Sequence, residues 1–384
     1  MSWTTRTRTT AASLSALTAA AAFAAVPQAA QATPGGPKSV DRVAGGDRYE
    51  TAVLASQSLW PAWNDPSGKL KAHAVVLAKG EDYPDALGGI PLASARQGPL
   101  LVTPGSGLDA GVLAEVQRVL QPGAGKIVYV LGGPKALSPS VDAALARLGY
   151  TVHRIAGADR FETSLDIAHE LGDPQRVVVA TGTMFPDALS AGPLASMGGV
   201  GKPGAILLSD DTKLPPAVAA YIRPIIGNYP SNGVMTDTQQ PVPLDPDHFV
   251  LAVGGHAVTA VRAAAATLPQ QYTNFDTHEN FGHVAGADRY ATSCTAATWW
   301  SKTGNTPTAF GVATGANFPD ALGGGAAIAQ LPGPLLLTPP EGLPQCAADL
   351  LTTDRPQVNW VEIYGGPAVV PPGIESRLHQ IMEF

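Results

Sequence analysis

At 384 residues the chain is long enough for two or three domains, and 24 Lys and Arg against 31 Asp and Glu give it a net charge of −7. That mildly acidic balance argues against nucleic acid as a partner, because phosphate binding needs a basic face, although a local basic pocket stays possible.

The N-terminus carries Arg6 and Arg8, an Ala- and Leu-rich run from Ala11 to Val26, and then Ala30-Gln31-Ala32. A charged region, an apolar region and a small-residue cleavage site in that order read as a secretory signal peptide over residues 1–32. The mature protein is therefore expected outside the cytoplasm, with no membrane association once the signal is removed. The run is short and Ala-rich for a stable span, and no later stretch is apolar for long enough to be one.

From residue 40 the apolar periodicity alternates between strand and helix. Val75-Val76-Leu77 is a continuous apolar run, as a strand covered on both faces requires. A small-residue helix follows Asp85, then a strand from Leu100 to Thr103. Leu108, Val112, Leu113, Val116, Val119 and Leu120 share one helical face. Ile127 to Leu131 forms another strand, and Val141, Ala144, Leu145 and Leu148 another helical face, before Val152 to Ile155 leads onward. This alternation predicts a small doubly wound α/β unit with a mainly parallel sheet.

The same scheme recurs. A strand, a glycine turn and a helix start are spelled three times, in Ala44-Gly45-Gly46-Asp47-Arg48-Tyr49-Glu50-Thr51, Ala156-Gly157-Ala158-Asp159-Arg160-Phe161-Glu162-Thr163 and Ala285-Gly286-Ala287-Asp288-Arg289-Tyr290-Ala291-Thr292. Each copy is followed by an aromatic-Pro-Asp-Ala-Leu stretch (Tyr83–Leu87, Phe185–Leu189, Phe318–Leu322) and later by a strand ending in Gly132-Gly133, Gly254-Gly255 or Gly365-Gly366. Landmarks recurring in one order define a triplicated module. The boundaries are expected at residues 40–151, 152–280 and 281–384. The second module carries a loop insertion at 229–247, rich in Pro, Asn, Thr and Gln and without apolar period.

Asp47 with Glu50, and Asp159 with Glu162, fit a helix capping box, in which carboxylates accept the free amide protons of the first turn. Ala291 replaces the Glu in the third copy. Capping gives no reason for Arg48, Arg160 and Arg289. Each can pair with a carboxylate of its own module (Asp85, Asp187 or Asp320) or point into a cleft and bind an anion in bidentate fashion. The Pro-Asp pairs suit a helix start. The Gly-Gly pairs are either tight strand-to-helix turns or anion-binding concavities at the ligand-bearing edge of the sheet.

No catalytic constellation emerges. Ser190 lacks the first Gly of a nucleophile turn, no phosphate loop occurs, and the histidines (73, 153, 169, 248, 256, 278, 283 and 379) show neither metal-ligand spacing nor triplication, although four fall between His248 and His283. Neither a metal nor a cofactor is expected. Cys294 and Cys346 both lie on expected helices of the third module, and in a secreted chain such a pair reads as one disulfide.

The three motifs, in three tandem copies from Arg42 to the C-terminus, resemble the type 2 cell-wall-binding repeats of Gram-positive bacteria. The resemblance implies a Toprim-like α/β fold per module and three modules around a pseudo-threefold axis. It further implies non-covalent attachment of a secreted protein to the wall through an anionic polymer. His256 departs from the pattern by replacing the Pro after Gly254-Gly255. Asp245-Pro246-Asp247, the one Asp-x-Asp pair, sits in a Pro-rich loop and not at the strand end where a Toprim enzyme needs its acidic pair, and likeness of fold would not transfer catalysis in any case. Many relatives carry a peptidoglycan amidase or protease domain, for which this chain leaves no room. The expected function is thus a wall-associated binding protein without enzymatic activity. A peptidoglycan hydrolase and a released carbohydrate-binding or scaffold protein are the alternatives.

Overall fold

The computed structural model describes residues 38–123, 125–197, 204–227, 248–268, 281–302, 306–331 and 333–382. The expected signal peptide, the 229–247 insertion, Asp245-Pro246-Asp247 and His278 lie outside them.

The chain opens with β1 (Ser39–Val43) and α1 (Arg48–Leu59) and runs through β2 (Ala74–Lys79), α2 (Gly89–Ala95), β3 (Leu100–Thr103), α3 (Ala110–Val119), β4 (Ile127–Leu131), α4 (Pro139–Arg147) and β5 (Thr151–Ile155). The second pass is α5 (Arg160–Glu170), β6 (Arg176–Thr181), α6 (Pro186–Ser196), β7 (Ala205–Ser209), α7 (Pro216–Gly227), β8 (Phe249–Val253), α8 (Gly255–Ala265) and β9 (Gly282–Val284). The third is α9 (Arg289–Lys302), β10 (Ala309–Thr314), α10 (Pro319–Gln330), β11 (Leu335–Thr338), α11 (Gln345–Asp354), β12 (Trp360–Tyr364) and α12 (Pro372–Met382).

Among the described residues the strands form three four-stranded sheets, ordered β3-β2-β4-β5, β7-β6-β8-β9 and β11-β10-β12-β1. Every pairing is parallel. The second strand of each sheet is buried almost throughout, which explains its unbroken apolar run. The three α/β units expected from the repeat are thus present.

Sheet and repeat are offset by one strand. The strand that opens each repeat pairs with the sheet of the repeat before it: β5 with β4, β9 with β8, and β1 with β12, in the register Ser39↔Trp360 to Val43↔Tyr364. The first strand therefore completes the last sheet, and the arrangement closes on itself.

One buried apolar cluster runs through all three units, and the helices that follow or contain Pro-Asp-Ala-Leu (α2 after a 3-10 turn at Pro84–Ala86, α6 and α10 from the Pro itself) pack against one another within it. Counted from the Pro of that stretch, the seventh residue is Ile90 in the first repeat and Gly192 and Gly325 in the others. A Cβ at Gly192 would lie 2.5 Å from Ile90 Cδ1, and one at Gly325 2.8 Å from the same atom. One isoleucine thus fills the space where the three helices meet, and the two glycines leave room for it. In the third unit Cys294 of α9 is bonded to Cys346 of α11, with 6.1 Å between their Cα atoms.

Candidate functional site

Each repeat builds the same helix start. Asp47, in extended conformation, accepts hydrogen bonds from the amides of Tyr49 and Glu50, both at 2.9 Å, while Gly46 N donates to Glu50 Oε2 at 2.7 Å. Asp159 and Glu162 repeat the arrangement, and Asp288 caps α9 in the same way without the Glu. These acidic residues thus serve the helix. The Arg after each capping Asp is free of that duty. Arg48 Nη1 donates to Gly80 O at 2.6 Å, and Arg160 and Arg289 donate to Gly182 O and Gly315 O at 2.7 Å.

The carboxylate that faces each Arg comes from the preceding repeat and not, as one sequence expectation had it, from its own. Asp85 faces Arg160 and Thr163, Asp187 faces Arg289, and Asp320 faces Arg48 and Thr51. The reason is the strand offset, which carries the start of each repeat onto the sheet edge of its predecessor. Behind each carboxylate stands the first glycine of a Gly-Gly pair. Gly132, Gly254 and Gly365 have φ of +93°, +87° and +117°, and a Cβ on them would collide with Asp85, Asp187 and Asp320 respectively. Both constraints demand glycine.

Their amides are not free, as an anion-binding concavity would need. Gly132 N donates to Ile155 O, Gly254 N to Val284 O and Gly365 N to Val43 O, which fastens the incoming strand of the next repeat. Gly133, Gly255 and Gly366 lie one residue further out at each junction. Each of the three junctions thus gathers an Arg at a helix N-terminus, an Asp and a Gly-Gly pair from two repeats.

Burial raises the Asp85 and Asp320 carboxyls above their usual range, against the opposing pull of a threonine hydroxyl and an arginine. Asp187 is pushed up to about 6, because burial outweighs the attraction of His256 and Arg289. Between the junctions the motif aromatics form a triangle. Tyr83, Phe185 and Phe318 have ring centroids 5.5, 5.5 and 5.9 Å apart. Arg160 stacks over Tyr83 and Arg289 over Phe185, each with Cζ 5.8 Å from the ring centroid.

Arg42 and Arg154 were not singled out in the sequence. Arg42 donates to Gly365 O at 2.7 Å and pairs with Glu375 at 2.9 Å; Arg154 donates to Gly132 O at 2.6 Å and pairs with Asp142. The signal was available, since both stand two residues before the Ala-Gly of their motif, where the third copy has His283.

Ser190 is buried at 2% exposure and donates back to Pro186 O, a helix-internal role. Among the described residues no group of His, Cys, Asp and Glu could hold a metal ion, and no helix is long and apolar enough to cross a membrane.

The family model for cell wall binding domain 2 matches residues 42–142, 154–260 and 283–375. The chain belongs to this family. The amidase enhancer of Bacillus subtilis is 34% identical over 175 residues, which are 46% of this chain and 22% of that protein. N-acetylmuramoyl-L-alanine amidase LytC of the same organism is 30% identical over 185 residues, 48% of this chain and 34% of that protein. The chain thus spans only about a fifth to a third of these two relatives. Cwp8 and Cwp6 from Clostridium difficile share the fold, with TM-scores of 0.69 and 0.64 at 21% and 22% identity, over 90% and 89% of this chain and 52% and 48% of theirs.

Proposed function

We propose that this cell-wall-binding protein is secreted and holds to the wall non-covalently, with an anionic wall polymer lying across the three inter-repeat junctions. The observation that carries the proposal is the threefold recurrence of one Arg, its guanidinium held through Nη1 on a glycine carbonyl and set at a helix N-terminus, where amide dipoles also favour an anion. With a net charge of −7 the protein as a whole repels an anionic polymer, so attraction has to be local. Three similar sites along one polymer multiply a weak single-site affinity by avidity. The Asp at each junction opposes the ligand's charge, and its raised titration reduces that opposition.

The binding role is distinct from the hydrolytic one named for the amidase relative. Mixing the purified protein with isolated walls and following both sedimentation and muropeptide release separates them. Sedimentation without release is expected; release would establish the hydrolase, and neither would leave a released scaffold protein.

A further inference from the structure

We propose, on the footing that the junctions hold the wall polymer, that His256 makes the junction of the second and third repeats a proton-sensitive site, which binds the polymer more tightly in mildly acidic than in neutral medium. In the first and third repeats Gly-Gly is followed by Pro134 and Pro367, and a turn separates it from the next helix, which begins at Pro139 or Pro372. In the second repeat there is no turn. Gly254, at φ +87°, leads straight into α8 at Gly255, and His256 falls in its first turn.

The His256 ring Nδ1 pairs with Asp211 Oδ1, in the tight turn after β7, where Asp211 itself has φ +53°. The two side chains are 45% and 55% exposed, so a ligand at the junction reaches them. Asp187 lies against Gly254 between His256 and Arg289.

Two histidine-linked charge states follow. With a neutral imidazole, Arg289 stands against the Asp187, Asp211 and helix-capping Asp288 carboxylates, two negative charges in excess. With a proton on the imidazole and one on Asp187, Arg289 and the imidazolium stand against Asp211 and Asp288, and the negative excess is gone. Histidine is the residue type that changes charge between about pH 5 and pH 8. The raised Asp187 carboxyl takes up its proton at the acidic end of the same interval.

Of the elements packed on α8, β7 and β8 carry no charged residue, β9 carries His283 and α7 the exposed Arg223, and in the turn after β7 Asp210 and Lys213 offset each other. The elements packed on α6 add no further charge at this point. α2 has no charged residue, the Asp320 carboxyl of α10 faces Arg48 at its own junction, and Arg176 of β6 lies beside Phe249 and Gly204 at the opposite strand end.

The test is sedimentation affinity for isolated Bacillus subtilis walls at constant salt, with wild type, His256→Pro, His256→Gln and Asp187→Asn, and with melting temperatures recorded for all. Proline is the residue of the other two repeats and fits the first turn of a helix, and the Gln variant covers the case that the Pro variant is unstable. Wild type is expected to bind roughly fivefold more tightly at about pH 5.5 than at about pH 7.5, the effect of removing a local negative excess near a partly screened anion. Both His256 variants should lose at least half of that ratio, and Asp187→Asn should bind at neutral pH with an affinity between the two wild-type values. A wild-type affinity indifferent to pH, or an unchanged ratio in folded His256 variants, overturns the inference and leaves wall binding standing. Absence of wild-type sedimentation at either pH overturns both.

Discussion

The carboxyl of Asp320, in the third repeat, faces the hydroxyl of Thr51, in the first. This contact joins opposite ends of the described chain and has its counterpart in Asp85 and Thr163, where the repeats are also covalently consecutive. Closure between the third and first repeats rests on non-covalent contacts alone: β1 against β12, α1 against α10, and Arg42 against Glu375 and Gly365.

Removing the Arg42 side chain leaves Glu375 and a partly buried carbonyl without their charged partner. Arg42→Ala is expected to lower unfolding free energy by about 1–3 kcal/mol, and Arg154→Ala by a similar amount, since hydrogen bonds to charged groups contribute on that scale. Urea unfolding checks both. Because one core cluster runs through all units, the loss should appear as a lower midpoint of a single transition and not as separate melting of one repeat.

The helix meeting point makes a sharper prediction. Ile90→Ala removes a fully buried side chain and should cost about 2–5 kcal/mol. Gly192→Ile alone should cost at least about 1–3 kcal/mol, because its side chain would collide with Ile90. The double variant Ile90→Gly with Gly192→Ile moves the single isoleucine to an equivalent position. It should recover much of the loss seen in Ile90→Gly, as read from thermal melts. Additive damage in the double variant would mean that the three helix positions do not share one space.

The Cys294–Cys346 bond closes a loop across a sequence separation of 52 residues, for which chain entropy gives on the order of 4 kcal/mol. Thiol titration of the unfolded, unreduced protein should find no free thiol, and reduction should lower the melting temperature. Finding two thiols would contradict the bond.

The individual units were legible in the sequence because their strands are continuous apolar runs and their helices carry one apolar face, and the triplication removed ambiguity over short segments. Arg48, Asp320 and Gly365 could each be nominated from recurrence. What recurrence could not supply was the pairing between repeats. An Arg that repeats with every Asp is equally consistent with a partner in its own repeat or the one before, and only the hydrogen bonding of β5, β9 and β1 decides it. Ile90 was hidden for the opposite reason. It breaks the repeat, and a departure acquires meaning only once the three helices are known to meet.

Asp187 should make stability depend on pH. Its carboxyl titrates at about 6 in the folded protein against an ordinary 3.8. Between those values the folded protein holds a proton that the unfolded chain has lost, so this contribution declines as pH rises through the window. Above about pH 6 it is a constant penalty of at most about 3 kcal/mol, and below about pH 4 it vanishes. Asp187→Asn cannot titrate. The stability of the Asn variant relative to wild type should therefore increase by about 1–3 kcal/mol between about pH 4.5 and about pH 7.5. Urea unfolding of both proteins at each pH measures this, and a constant difference would show that the carboxyl is ionised throughout.

Arg48, Arg160 and Arg289 provide the last prediction, because binding and structural roles for them lead to different results. Each donates one hydrogen bond to a glycine carbonyl of its own repeat, and two stack on an aromatic ring of the preceding one. Loss of those contacts should cost about 1–2 kcal/mol per site. If that were their whole purpose, the Ala variants would lose wall binding only in proportion to the fraction unfolded. If the guanidinium groups also hold the polymer, one substitution should weaken sedimentation about three- to tenfold, and the triple variant should abolish it well below its melting temperature, because avidity collapses when successive sites fail. Added salt should weaken wild type in the same direction, since anion attraction is screened over about 10 Å at 0.1 M. Melting temperature and wall sedimentation on the same samples distinguish the two outcomes. A folded triple variant that still sediments like wild type would remove these arginines from the binding site.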